Sequence, residues 1–212
     1  MLVEMKMQKI SAFALALFFM FVSALVLSST VMAATSTIKA TFKGSGGAIE
    51  TLTGTYKKTG YFNAPVPFDL SKFTTKEIGM TGNLRQVTIG EKNRVYGSVT
   101  LFAKGYDSEV GTTKYLDSSL SSNVRLNVVA TFSSSKSSCS EFTSGSIVCT
   151  TSASAVYMYI PSHENLKFFR ESPKKFTIDI NTQTGTASIY AGNNAVGDDI
   201  LKITDITVTS FR

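Results

Sequence analysis

The chain has 212 residues, 21 basic and 15 acidic side chains, and a formal charge of +6. It carries one histidine, two cysteines and no tryptophan. Those counts exclude a multi-histidine metal centre, a four-cysteine zinc site and a disulfide-dense scaffold. The scattered cations do not form the basic stripe of a nucleic-acid protein, so nucleic acid is not an expected partner.

Residues 1–33 read as a cleaved signal peptide rather than as structure. Lys6 and Lys9 precede an apolar run from Ile10 to Leu27, and Val31-Met32-Ala33 places small residues where a signal peptidase cuts. Two basic residues and one acidic residue fall in that stretch, leaving 19 and 14 and a balance of +5 for residues 34–212. About 179 residues are enough for a single domain with its own core. Two cysteines in an exported chain imply one disulfide and an oxidising destination: extracellular, cell-surface, or periplasmic in a double-membraned host.

Thr37 to Lys43 alternates, with Ile38, Ala40 and Phe42 on one face, and Gly44-Ser45-Gly46-Gly47 then breaks the pattern. Residues 34–47 therefore read as a separable strand arm able to add to a neighbour's sheet, or as the first strand of the chain's own sheet. A β segment from Ile49 to Tyr61 follows. Between Phe68 and Met80, Asp69 or Ser71 would cap at most a turn or two of helix, because Thr74-Thr75 is β-branched. Val87 and Ile89, a turn at Gly90 to Asn93, and Val95 to Phe102 predict a hairpin. Gly105 to Ser122 reads as loop.

The most informative stretch is Val124 to Ile160. Val124, Leu126, Val128, Ala130 and Phe132 alternate with polar residues, as do Val156, Met158 and Ile160. Placing Cys139 opposite Cys149 sets Phe132 against Val156 and Ala130 against Met158, with the cysteines on the other face beside Thr131 and Tyr157. Ser162 to Arg170 predicts the one short helix, capped by Ser162 and stopped by Pro173. The final forty residues predict strands at Phe176–Ile180, Ala187–Ile189 and Ile200–Phe211. In the last of these the apolar pattern slips near Asp205, as a bulge would make it do.

The pattern predicts an all-β protein, an antiparallel β-sandwich or jelly-roll-like barrel with one short helix. The chemistry is sparse. His163 has no nucleophile elbow to serve, no carboxylate pair is set in a pKa-raising context, and no catalytic residue, metal ligand or cofactor is assigned. Asn193, Asn194, Asp198 and Asp199 form a lone oxygen-rich loop of the kind calcium uses, and equally a solvated turn. The functional expectation is a non-catalytic structural or surface protein, a fibre-forming or adhesive subunit that self-associates through the Ile38-Ala40-Phe42 arm. The alternative is a monomeric module for a glycan or other surface ligand. A membrane-active hairpin is the least expected, since Arg125 and Asn127 would stand in the inserted strand.

Overall fold

A computed structural model describes residues 35–56, 66–108, 123–159, 167–193 and 199–212. They fall within one unit, Thr35–Arg212. In chain order the strands are β1 (Thr35–Ser45), β2 (Ala48–Leu52), β3 (Thr55–Tyr56), β4 (Val66–Pro67), β5 (Phe73–Ile89) and β6 (Lys92–Asp107). After them come β7 (Asn123–Phe132), β8 (Ser137–Phe142), β9 (Ser146–Thr151), β10 (Ser154–Tyr159), β11 (Lys167–Glu171), β12 (Lys175–Asn181), β13 (Thr186–Gly192) and β14 (Asp199–Phe211). No helix among the described residues is long and apolar enough to cross a membrane.

Twelve strands form one antiparallel sheet in the order β11-β10-β7-β6-β5-β1-β14-β13-β12-β9-β8, with β2 also paired to β14. The sheet curls so that one face closes on itself. Residues of every second position line that interior: Phe42 from β1, Met80 and Leu84 from β5, Leu101 from β6, Leu126 and Val128 from β7, Ile178 from β12 and Ile189 from β13 are all buried. Phe132 on β7 meets Phe176 on β12 edge to face, centroids 6.3 Å apart, although their strands lie in opposite halves of the sheet. The architecture is the all-β sandwich that the alternation predicts.

The curl comes from one long hairpin bent in the middle. Its inner half, β7 with β10, belongs to one side of the sheet; its outer half, β8 with β9, crosses over to pair with β12 and lies against β6. At the bend Thr151 is buried, and its hydroxyl donates to the carbonyl of Thr131 at 2.8 Å while accepting from the Ser137 hydroxyl at 2.9 Å. These side-chain bonds satisfy backbone that the broken ladder leaves behind.

The bend corrects the predicted register. Val156 stands opposite Val128 and Met158 opposite Leu126, four residues away from the expected pairing. The parity of the core face is kept because the shift is even. Cys139 does stand opposite Cys149, but the bend turns β9 over, so Cys149 is fully buried on the core face with Ile147 and Thr151 rather than lying on the outer side with Tyr157.

The predicted helix is a second correction. Residues 160–166 lie outside the described segments, and Lys167–Glu171 form the strand β11, with Phe169 paired to Met158. Aromatic residues favour strands, and β10 offers an edge to pair with, which together outweigh the local cap and stop signals. Near residue 70 the helix shrinks to a 3-10 turn, Leu70–Lys72, in which Asp69 accepts from the Ser71 N–H at 2.9 Å. The slip near Asp205 is a bulge: Asp205 takes φ 56°, Ile203 pairs with Ile189 and Ile206 with Ala187, and both isoleucines stay buried.

On the outside, β2 is tied to β14 by Glu50, which receives the Lys202 ammonium at 2.5 Å and the Thr204 hydroxyl at 2.6 Å. Those two hydrogen bonds, the lysine's first, hold the Glu50 carboxyl below its ordinary value. Because the folded-state pKa is the lower one, this contribution is present above the unfolded value near 4.5 and is lost as pH falls below it. Glu50→Gln should therefore flatten part of the fall in melting temperature between about pH 5 and pH 3, and leave the melting temperature nearly unchanged at pH 3.

Candidate functional site

The outward face of β1, β5 and β6 is built of rows set by the ladders. Lys39 pairs with Arg85 and Arg85 with Tyr96, and the next outward row is Thr41, Asn83 and Ser98. Beyond it Lys43, Thr81 and Thr100 form a third row. Period-2 alternation explains this arrangement: the same strands that send Ala40, Phe42 and Leu84 inward must send their odd-numbered neighbours out.

These rows enclose an open groove of roughly 450 Å³ lined by Lys39, Asn83, Arg85, Tyr96, Gly97 and Ser98. A second hollow of roughly 200 Å³ adjoins it through Asn83 and Ser98 and reaches Lys43 and Thr100. The floor depends on Gly97. Its φ is +132°, and a side chain there would meet the Asn83 carbonyl oxygen at 1.9 Å, so only glycine lets the backbones of β5 and β6 approach this closely. The Arg85 guanidinium lies 5.1 Å from the centroid of the Tyr96 ring. That contact orients a planar cation whose five N–H donors suit carboxylate, sulfate or phosphate oxygens.

Along β6 the face continues into a second cluster. The Phe102 ring crosses the bare backbone of Gly79 and is flanked by the Lys104 ammonium at 5.2 Å and the Arg125 guanidinium at 5.1 Å. Arg125 is steadied by donating from Nε to Asn127 Oδ1 at 3.2 Å, and Lys104 pairs with Glu77 at 2.7 Å. Glu77 is the single carboxylate at the outward positions of β1, β5, β6 and β7 among the described residues. Chemically, cations, hydroxyls and an amide on an open sheet face hold negative charge and sugar-like hydroxyls.

The predicted site residues do not converge here. Ile38, Ala40 and Phe42 lie in β1, hydrogen-bonded along its whole length to β5 and, from Thr41 onward, to β14 and Arg212. Ala40 and Phe42 are buried in the chain's own core, and Ile38 is 45 % exposed. The Cys139–Cys149 bridge sits away in β8 and β9, with a Cα separation of 4.0 Å. Of the oxygen-rich loop, Asn193 is exposed at the end of β13, and residues 194–198 and His163 lie outside the described segments. No group of three His, Cys, Asp or Glu side chains able to hold a metal occurs among the described residues.

The basic face escaped the sequence because it belongs to three strands. A signal was present, however: Lys39-x-Thr41-x-Lys43, Asn83-x-Arg85 and Tyr96-x-Ser98-x-Thr100 are the outward complements of the apolar alternation. No protein-family model, curated protein or solved structure matches the chain.

Proposed function

We propose that this chain is an exported, non-catalytic binding module that holds an anionic ligand on the outer face of β1, β5 and β6. The observation that carries the reading is the groove itself, where Lys39 and the Tyr96-stacked Arg85 share one row with no carboxylate in the groove lining among the described residues. The disulfide supports export, since such bridges persist in oxidising compartments. The neutral donors Asn83 and Ser98 add hydrogen bonds that a ligand bearing hydroxyls as well as charge would use.

Dextran sulfate, with neutral dextran as control, tests the reading by isothermal titration calorimetry. The double variant Lys39→Ala/Arg85→Ala should bind it at least tenfold more weakly, whereas Lys174→Ala/Lys175→Ala, on an exposed loop and strand start elsewhere, should bind as the unaltered chain does. Affinity should also fall as salt rises from about 50 to 300 mM, because exposed charges are screened. Equal affinity of the Lys39/Arg85 variant and the unaltered chain would remove the groove from consideration.

A further inference from the structure

The groove and the Phe102 cluster lie along one strand, β6, and cations recur along its outward face. Counting outward rows along β6, cations occur at the Arg94 row (Arg94), the Tyr96 row (Lys39, Arg85), the Thr100 row (Lys43) and the Lys104 row (Arg125, and Lys104 paired with Glu77). The rows between, at Ser98 and Phe102, carry hydroxyls, amides and an aromatic ring. At about 3.4 Å per residue the Tyr96, Thr100 and Lys104 rows are roughly 14 Å apart, the Arg94 row adds a charge about 7 Å before them, and the track from Tyr96 to Lys104 is about 27 Å long.

A small anion would need one such row. From this repetition, and resting on the binding reading above, we propose that the ligand is a linear acidic polysaccharide, carboxylated or sulfated, lying along β6. Its charges meet the cationic rows in turn, and its neutral hydroxyls and ring faces meet Asn83, Ser98 and Phe102 between them. A lipid surface fits less well, because the two exposed large aliphatics among the described residues, Ile38 and Ile89, stand outside this track. A nucleic acid strand carries a charge at each nucleotide and would leave the neutral rows facing charge.

The expected signature is dependence on ligand length. Sulfated oligosaccharides of two to ten sugars, titrated calorimetrically into the full chain, should gain tenfold or more in affinity with length until they span the track, then level off. Arg125→Gln should remove most of that gain while leaving the disaccharide's affinity unchanged, since the disaccharide sits in the groove. Lys43→Ala, an exposed position at mid-track, should do the same in part, and serves if the Arg125 variant is poorly folded.

A length-independent affinity that still needs Lys39 and Arg85 would overturn the polymer inference and leave the groove reading standing. Tighter binding to phosphatidylserine vesicles or single-stranded DNA through the same residues would overturn the ligand class. Affinity indifferent to Lys39 and Arg85 at every length would sink both readings.

Discussion

Phe42→Ala should cost about 3–5 kcal/mol of stability, the range for truncating a buried phenylalanine where the surroundings cannot collapse. The ring is fully buried, stacks on Phe211 with centroids 6.5 Å apart, and lies across the bare backbone of Gly82, so close that a methyl group there would meet it at 2.1 Å. Ile38→Ala, on the same strand and face but largely uncovered, should cost about 1 kcal/mol or less. Urea unfolding followed by circular dichroism measures both. The comparison also bears on the arm: a chain beginning at Gly44 loses the strand between β5 and β14 and should not fold as a monomer. If that shortened chain keeps the unfolding midpoint of the longer one, residues 34–43 are dispensable to the domain, and a donated arm becomes the better account of the protein.

Removing the disulfide by Cys139→Ala/Cys149→Ala should destabilise the protein by about 2–3 kcal/mol, from the chain entropy of a loop whose ends are 10 residues apart. The bridge closes the outer half of the bent hairpin, and Cys149 is also packed in the core, so the loss should exceed that of a surface crosslink. Urea midpoints with and without reductant, together with the double variant, give the measurement. The slope of the unfolding line should rise as well, because the released denatured chain exposes more surface. An unchanged midpoint would mean that the β8–β9 pairing is held by its ladders alone.

The two substitutions probe what the sequence revealed best. Alternation in Val124–Phe132, Phe176–Ile180 and Ala187–Ile189 identified the core faces, and the slip at Asp205 identified a bulge, because period-2 burial is a local property. The pairing of Val128 with Val156 was out of reach: it depends on a bend that gives β9 a new partner, β12, and nothing within 133–153 announces that partner. Leu166 and Phe169 read as one side of a helix because cap and stop signals are local, whereas the pairing of Phe169 with Met158 depends on β10 having an edge left open by the rest of the sheet. The groove was hidden for a related reason. Lys39, Arg85 and Tyr96 are ordinary surface residues singly, and only the register of three strands makes them one row.

The place of β1 bears on how the molecule is made. The first described strand is hydrogen-bonded on one side to β5 and on the other to β14, the last strand in chain order. A chain emerging vectorially from its N-terminal side can form the β5–β6 hairpin early, yet β1 keeps an open flank until β14 arrives. Native closure therefore waits for nearly the whole polypeptide, and the Thr41 and Arg212 backbone pair is among the last contacts to form. A protein wired in this way cannot complete its sheet until its last strand is available to pair.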